Sequence, residues 1–393
     1  MKKILVVFHD PDSRSGATAS MLSILDSMSR DSNLSIDALI PQKDGDLKDR
    51  IEELGLRCYT SKYYTSRYAC DINVFGLLFR YIKTVAKIFL SLYSAIKFSI
   101  KSDNYDLVYS NTSDIYIGAI FSRIIKAKHI WHIREFGLED QNCRHICSDK
   151  LFYNFASNCS SAIIVISKSL YGKVSKYADK EKIHIIYNDI MGVSFGYKNK
   201  ENGGAHHSGD NLKLLIVGQI SPGKGQLDVI KALFELKSQG INFHLGIAGH
   251  ADSKYADFLK KEVKEKQLEE HVEFLGYKKD MATVRDAYDI GIVASASEAF
   301  GRVTIEGMLA GLVMVGSNSG ANPELIDNGK NGFLYEAGDY LDLAKVLRFI
   351  SENNEDMVDV KENAYTFAKK FTEGRAGGEI KKLIFHELEQ HNV

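Results

Sequence analysis

The chain has 393 residues, which is too long for one ordinary hydrophobic core, so we expect two domains. A hydrophobic content of 45% and a charged content of 26% are typical of a soluble globular protein. The formal net charge is −1, so the chain lacks the strong basic excess that a nucleic-acid-binding protein would show, and we expect no nucleic-acid partner.

The charge is unevenly distributed along the chain. Residues 1–200 contain 28 Lys and Arg against 21 Asp and Glu, whereas the remainder contains 22 against 30. A basic N-terminal half suits an anionic surface or an anionic acceptor.

The cysteines and the apolar segments indicate a cytoplasmic location. Five cysteines have neither the spacing of a disulfide framework nor that of a zinc site, so we expect thiols in a reducing cytosol. The apolar run that follows Met1 is too short for a signal peptide. No uninterrupted apolar segment reaches the length that spans a membrane.

In the first half, short apolar runs alternate with helical patterns, as expected for a parallel sheet. Gly16 follows the first strand, at the sheet edge where such folds bind ligands, and permits a close backbone approach. His132, Arg134 and Glu135 end another strand and are candidates for the acceptor side of a site. The alternative is an ordinary solvated loop. The predicted strands lie at 4–8, 35–40, 106–110, 129–135, 162–167 and 183–188.

A long helical pattern at residues 74–100 combines apolar and basic side chains. One interpretation is a basic amphipathic helix that holds the protein peripherally at the anionic inner face of the plasma membrane. The other is a long domain helix that covers a sheet and leaves its lysines in solvent. The cationic residues, within roughly a third of the helix circumference, are Arg80, Lys83, Lys87, Lys97 and Lys101.

The boundary between the two halves is predicted near residues 190–211. Residues 198–210 are polar and glycine-rich and have no hydrophobic period, which is typical of a linker. We therefore expect an N-terminal Rossmann-like domain at 1–195, a linker at 196–211 and a C-terminal Rossmann-like domain at 212–371.

The second half repeats the strand–helix rhythm, with predicted strands at 212–217, 243–248, 272–276, 289–295 and 312–316, and helical patterns at 340–352 and 357–390 close the chain. The loop after its first strand contains Gln219 and then Lys224 between two glycines, so backbone and ammonium could both approach a phosphate. The loop is not a P-loop, because the residue order G-x4-G-K-S/T is absent. The loop at 317–324, with Asn322, supplies further N–H groups at a strand end.

Residues 298–306 carry the clearest functional pattern. Glu298 lies in the loop after the strand at 289–295, and Glu306 lies about one turn into the next helix. Phe300, Gly301 and Arg302 begin that helix, where free N–H groups and the helix dipole favour an anion. Carboxylates accept hydrogen bonds from sugar hydroxyls, so the combination suits a nucleotide-sugar. Taken alone, two such glutamates are more often a helix cap and a solvated surface residue.

Five motifs, in this order, resemble those of the family 4 glycosyltransferases, which have the GT-B architecture and retaining chemistry. They lie at 217–226, 247–249, 274–276, 297–308 and 320–326. The N-terminal likeness is looser. The resemblance implies an α/β fold of two Rossmann-like domains that face each other across a cleft. It also implies a C-terminal helix, about residues 372–393, that crosses back to the N-terminal domain.

The resemblance further implies roles for individual residues. Glu298 would bind donor-sugar hydroxyls, Glu306 the nucleotide ribose and Lys224 the diphosphate, and the loop at Gly276 and Tyr277 would lie by the base. Lys224, Glu298 and Arg302 are the predicted catalytic residues. The predicted donor-binding residues are Gly16, Gln219, Lys224, Gly276, Tyr277, Glu298, Phe300, Gly301, Arg302, Glu306 and Asn322.

Two positions depart from the family pattern. The family usually has an arginine five residues before the phosphate lysine, where this chain has Gln219, an uncharged amide. We hypothesise that Arg302 supplies part of the missing positive charge. The N-terminal strand end, often a histidine followed by an acidic residue, here has Arg134 and Glu135.

The predicted reaction is hexosyl transfer from a nucleotide-diphosphate-sugar, such as a UDP-sugar, to a hydroxyl of a glycan or lipid-linked acceptor, with retention of configuration. Surface polysaccharide biosynthesis is the expected context, with no metal and no cofactor. Three alternatives remain. A glycoside hydrolase would use Glu298 and Glu306 as its acid and nucleophile. A nucleotide-sugar epimerase would need no acceptor. In a non-catalytic sugar-nucleotide-binding protein, Gln219 would mark lost activity.

Overall fold

The computed structural model describes residues 1–70, 74–190, 211–251, 253–353 and 357–389. The chain divides into two compact units, the first made of Met1–Met191 with Glu373–Val393 and the second of Gly192–Thr372. Residues 196–210, almost the whole of the predicted linker, lie outside the described residues.

The first unit is built on a parallel sheet. Its strands are β1 (Lys2–Val7), β2 (Leu34–Pro41), β3 (Arg57–Ser61), β4 (Arg67–Ala69), β5 (Leu107–Asn111), β6 (Lys128–Ile133), β7 (Cys143–His145), β8 (Ala162–Val165) and β9 (Ile183–Ile185). Seven of them form the sheet in the order β3-β2-β1-β5-β6-β8-β9, while β4 and β7 form a separate antiparallel pair. Its helices before the unit boundary are α1 (Gly16–Ser29), α2 (Leu47–Glu53), α3 (Val74–Lys101), α4 (Ile117–Ile125), α5 (Leu138–Gln141), α6 (Asp149–Cys159) and α7 (Lys168–Val174).

Alternation along β1 explains why this strand is central. Ile4 and Val6 belong to the apolar cluster on one side of the sheet, and Leu5 and Val7 belong to the cluster on the other side. All four are buried. Since successive side chains of a strand point to opposite faces, a fully apolar run is the pattern of a strand covered by helices on both faces.

The second unit repeats this plan. Its strands are β10 (Asn211–Val217), β11 (Asn242–Ala248), β12 (Val272–Gly276), β13 (Ile290–Val293), β14 (Val313–Ser317) and β15 (Phe333–Tyr335). They pair in parallel in the order β12-β11-β10-β13-β14-β15. The order reverses between β10 and β13, which is the topological switch point of a doubly wound sheet. Its helices are α8 (Gln226–Ser238), α9 (Lys254–Glu265), α10 (Met281–Asp286), α11 (Arg302–Leu309), α12 (Asn322–Leu325), α13 (Tyr340–Glu352) and α14 (Met357–Lys369).

The last helix, α15 (Arg375–Glu389), returns to the first unit. It packs closely on α1, since a Cβ at Gly377 would lie only 2.8 Å from the Ser27 hydroxyl oxygen. The start of α15 is also bonded to the first unit, because the Ala376 N–H donates to Asp189 Oδ2 at 2.8 Å. The predicted return of the C-terminal helix and the predicted α/β architecture with two parallel sheets are therefore confirmed.

Five predicted elements end clearly elsewhere than expected. The strand predicted at 129–135 stops at Ile133, so His132 lies inside β6. The strands predicted at 162–167, 183–188 and 289–295 stop at residues 165, 185 and 293. The helix predicted at 357–390 is two helices, α14 and α15. Gly374, with φ of +70°, precedes α15 in a conformation that glycine adopts easily, so an apparently continuous helical pattern is broken.

A buried histidine connects three elements of the first unit. His129 is fully buried, and its ring nitrogens lie 2.9 Å from Ser110 Oγ and 2.8 Å from Ser160 Oγ. Burial lowers the pKa of His129 to about 3, because the charged imidazolium would lose its hydration. The folded unit therefore requires the neutral ring.

We expect His129 to make the first unit sensitive to acid. Between the ordinary pKa of histidine and about 3, the unfolded chain binds a proton that the folded unit does not, so the free energy of unfolding falls as pH falls. His129→Gln should reduce this slope by roughly 1.4 kcal/mol per pH unit near pH 5. Urea titrations followed by Trp131 fluorescence measure it, because the single tryptophan lies buried in β6.

The matched control is His250→Gln, since His250 is exposed and belongs to the second unit. It should leave the acid slope of the Trp131 signal unchanged. Equal slopes for the His129 variant and the wild type would contradict the prediction.

Candidate active site

The candidate site lies at the switch point of the second unit. One loop leaves β10 and runs through Gln219 and Lys224 to α8, and another leaves β13 and runs through Glu298 to α11. Because β10 and β13 are neighbouring parallel strands, both loops begin at the carboxyl edge of the sheet. Open α/β sheets bind their ligands at this edge, where the two loops diverge.

Direct backbone contact fixes the two loops against each other. Gly225 has φ of +69°, and a Cβ there would lie 2.0 Å from the carbonyl oxygen of Ala294. The Ala296 N–H donates to the Gly223 carbonyl oxygen at 2.9 Å. Only glycine fits at position 225, so this residue sets how closely Lys224 approaches the Glu298 loop.

Lys224 and Glu298 are brought into contact. Lys224 Nζ lies 2.5 Å from Glu298 Oε1, and the Ser295 hydroxyl donates to the same oxygen at 2.6 Å. The side chains of Lys224 and Glu298 are 29% and 19% exposed, so both remain partly accessible to a ligand. Two residues selected separately from the sequence thus form one charged pair.

The loop after β14 supports Glu298 from behind. Gly320 has φ of +58°, and a Cβ there would lie 2.4 Å from the Glu298 backbone nitrogen. The Ala321 N–H donates to the Glu298 carbonyl oxygen at 2.8 Å. The Asn322 side chain is buried and donates to the carbonyl and hydroxyl oxygens of Ser317, both at 3.2 Å. Asn322, predicted to bind the donor, is therefore placed as a support of the loop.

Helix α11 begins directly after this loop. Gly301, with φ of +90°, is its N-cap residue and offers no capping side chain. The Phe300 side chain is buried and lies edge-on to Phe371, with ring centroids 5.8 Å apart. Phe300 therefore anchors the start of the helix through its ring and can reach a ligand only through its backbone.

Two arginines hold Glu306. Arg302 Nε donates to Glu306 Oε1 at 2.7 Å, and Arg285 Nη2 donates to Glu306 Oε2. Arg285 lies on α10 and is 2% exposed, whereas the Arg302 side chain is 31% exposed. Sequence analysis missed Arg285, because a single arginine in a short helix forms no recognisable motif.

The ends of β11 and β12 add an aromatic pair. Gly276, with φ of +67°, ends β12, and the exposed Tyr277 ring stacks on the ring of His250 with centroids 5.1 Å apart and planes 12° apart. His250 was not selected from the sequence. Gln219 is also exposed, and its carbonyl oxygen accepts a hydrogen bond from Gln226 Nε2 at 3.0 Å.

The predicted acceptor-side residues of the first unit form a buried network. His132 Nδ1 lies 2.6 Å from the Tyr109 hydroxyl, and Arg134 Nε donates to Asn111 Oδ1 at 2.6 Å. Glu135 Oε1 accepts a hydrogen bond from the hydroxyl of a serine in the loop after β5. All three side chains are buried. The alternative of an ordinary solvated loop is therefore wrong, because these side chains are buried and bonded to protein partners. Their acceptor-side role stays a prediction.

Burial also shifts the titration of this network. It lowers the pKa of His132 well below its usual value and lowers the pKa of Arg134 to about 10. Burial, and then the neighbouring Asp114 carboxylate, raise the pKa of Glu135. Gly16, in contrast, is exposed at the start of α1, and a Cβ there would meet nothing within 4 Å.

No group of metal-binding side chains is found in the parts of the chain that the structure describes. Nowhere in them do three His, Cys, Asp or Glu side chains converge so that they could hold a metal ion.

The unequal burial of the two arginines predicts unequal stability effects. Arg285→Met removes a buried partner of Glu306 and should lower the free energy of unfolding by about 3 to 5 kcal/mol. Arg302→Met removes a partly exposed partner and should cost less than about 1 kcal/mol. Urea denaturation of both variants measures the difference. Equal losses would show that burial does not govern this network.

Comparisons with known proteins show which sequences this chain resembles. Residues 198–367, less than half of the chain, match the family described as glycosyl transferases group 1. An uncharacterized glycosyltransferase of Methanocaldococcus jannaschii is 26% identical over 76% of this chain and 80% of its own length. The amylovoran biosynthesis glycosyltransferase AmsK of Erwinia amylovora is 29% identical over 62% of this chain and 61% of its own length.

A solved structure gives the architecture. Anabaena HepE in complex with UDP and glucose superposes with a TM-score of 0.73 at 22% identity, over 98% of this chain and 100% of that chain. At this identity the similarity concerns the fold. The matched segment and the two relatives support a group 1 glycosyltransferase activity for this chain. The similarity to solved structures shows that the chain has the GT-B fold.

Proposed function

We propose that the protein transfers a sugar from a nucleotide-diphosphate-sugar to a hydroxyl of a glycan or lipid-linked acceptor, with retention of the anomeric configuration. The contact between Lys224 and Glu298 at the switch point carries this proposal. It joins a cation suited to a diphosphate with a carboxylate suited to sugar hydroxyls, on loops whose spacing is fixed by backbone contacts.

Lys224 would stabilise the leaving group. When the bond between the sugar and the diphosphate breaks, negative charge grows on the diphosphate oxygens, and a positioned cation stabilises it. An ammonium group has three donors, so Lys224 can keep its contact with Glu298 and also bind a phosphate oxygen. The start of α11 adds the positive end of the helix dipole.

Glu306 would bind the ribose. Its two oxygens already accept hydrogen bonds from Arg285 and Arg302, which orient the carboxylate, and its remaining lone pairs can accept from ribose hydroxyls. The contact with Glu306 uses Arg302 Nε, so its two Nη groups can donate to a ligand. Arg302 can therefore still supply charge that Gln219 does not.

Tyr277 would lie against the base. Its exposed ring is held by stacking on His250, which orders the side chain before any ligand binds. HepE is solved with UDP, which supports a UDP-sugar as the donor. The relative AmsK is named for amylovoran biosynthesis, which supports a polysaccharide context.

The alternatives fit less well. A glycoside hydrolase needs two carboxyl groups directed at one glycosidic bond, whereas Glu298 contacts a lysine and Glu306 contacts two arginines. A nucleotide-sugar epimerase would change the donor with no acceptor present. A non-catalytic binding protein would bind the donor without turnover.

Removal of the Lys224 ammonium tests the proposed chemistry. Lys224→Ala should lower kcat by about 10²- to 10³-fold, because one charge-stabilising group is lost from the transition state. The measurement is the release of UDP from UDP-sugars with a glycan or lipid-linked acceptor. Lys264→Ala, which changes an exposed lysine of α9, is the matched control and should keep full activity. Unchanged turnover in the Lys224 variant would refute its role.

The stereochemical part has a separate test. Proton NMR of the first-formed product should show the same anomeric configuration as the donor, with activity unaffected by a metal chelator, since Lys224 and the start of α11 would supply the positive charge. In this mechanism the departing phosphate oxygen takes the acceptor proton on the same face. An inverted product would contradict retention, and loss of activity on chelation would contradict metal independence.

A further inference from the structure

Helix α3 packs on the first unit through its small and polar side chains. Thr84, Ser91, Ser94 and Ala95 are buried. The Ser94 hydroxyl donates to the Lys62 carbonyl oxygen, and the Ser91 hydroxyl oxygen accepts the Tyr64 N–H at 3.1 Å. These contacts, and the packing of Phe98 on Phe121 with ring centroids 5.1 Å apart, fix the rotation of the helix, so most of its other large apolar side chains point away from the unit.

The outward side of α3 is strongly apolar. Phe75 is 86% exposed and Ile100 is 79% exposed, so the patch extends along nearly the whole helix. At 100° per residue the patch covers an arc of about 160°. Soluble monomers seldom expose a continuous apolar surface of this extent. We call this set the apolar arc: Phe75, Leu78, Phe79, Ile82, Phe89, Leu90, Leu92, Tyr93, Ile96 and Ile100.

A basic edge runs along one side of the apolar arc. Lys83, Lys97 and Lys101 are exposed there, and the sequence of α3 contains no Asp or Glu. A cavity of about 560 Å³ adjoins this edge and is lined by Lys62, Lys97 and Lys101 together with Tyr64 and other side chains, none of them acidic.

We propose that α3 docks the protein on an anionic phospholipid bilayer. The apolar arc enters the boundary between headgroups and acyl chains, the basic edge contacts headgroup phosphates, and the lysine-lined cavity receives one of these phosphates. A helix of this length, about 42 Å, lies along the surface. Across the described ranges, no helix combines the length and apolar character needed to cross a membrane.

Charge favours lipid over a second copy of this chain as the occupant. Two copies joined through their apolar arcs would bring two basic edges together without an acidic residue of α3 to neutralise them. An anionic bilayer supplies the opposite charge along the whole edge. It also covers the apolar arc, so one partner satisfies both features.

Flotation with vesicles tests the proposal on the full chain. The wild type should float with vesicles of phosphatidylcholine and phosphatidylglycerol, bind weakly to phosphatidylcholine alone, and lose binding in high salt. Lys83→Glu, Lys97→Glu and Lys101→Glu combined should weaken partitioning by about a hundredfold or more. The matched control combines Lys254→Glu, Lys261→Glu and Lys264→Glu on α9, three exposed lysines whose reversal should leave flotation unchanged.

A second variant tests the apolar arc itself. Phe79→Ser, Phe89→Ser and Tyr93→Ser combined should abolish flotation while the circular dichroism spectrum and melting temperature stay near those of the wild type, because these side chains are exposed. Failure of the wild type to float with phosphatidylglycerol would overturn the proposal. A dimer in light scattering that this variant dissociates, without any vesicle binding, would instead assign the arc to a second copy.

Discussion

The contact between Lys224 and Glu298 is the interaction on which the candidate site depends. It exists because two loops that leave neighbouring strands are pressed together at backbone distance. Gly225 permits this approach, since a Cβ there would collide with the Ala294 carbonyl, and Gly320 likewise permits the loop after β14 to approach the Glu298 backbone. The charged groups are therefore positioned by main-chain geometry, which deforms less than a long side chain would. Donor chemistry of the proposed kind requires such fixed positions, because electrostatic stabilisation works best when it needs no rearrangement.

The first unit uses its polar residues differently. His132, Arg134 and Glu135 are placed beneath the strand ends and bonded to protein partners, so they stiffen the sheet edge from within. On α3 the usual distribution is largely reversed, with serines and a threonine inward and most aromatic side chains outward. Serine hydroxyls can face the protein because backbone groups near Lys62 and Tyr64 accept or donate their hydrogen bonds. The surface that remains is apolar and basic, and it belongs to the half of the chain that carries the excess of Lys and Arg.

Much of the fold and part of the candidate site could be predicted from the sequence, and these predictions share a cause. Strands such as β1 and β10 end in runs of four apolar residues, and the loops that follow them contain glycines and charged residues at fixed offsets. These signals are local, so Lys224, Glu298 and Glu306 could be selected before any coordinates were known. Arg285 and His250 could not, because each acts through a partner distant in the chain and neither belongs to a local pattern. Asn322 was selected for the right loop, but its burial depends on how that loop packs against β14.

The amino-acid sequence by itself determined the parallel α/β architecture, most of the strands and helices, and the loops that carry the charged residues, because periodicity and turn chemistry act over a few residues. It did not reveal the edge strands β3 and β15. Only the tertiary structure decided which side chains meet and which are hidden. It paired Lys224 with Glu298, placed two arginines on Glu306, buried Arg134, and turned the aromatic side of α3 outward. These outcomes depend on contacts between segments far apart in the chain, and burial is a property of the packed molecule that no short stretch of sequence contains.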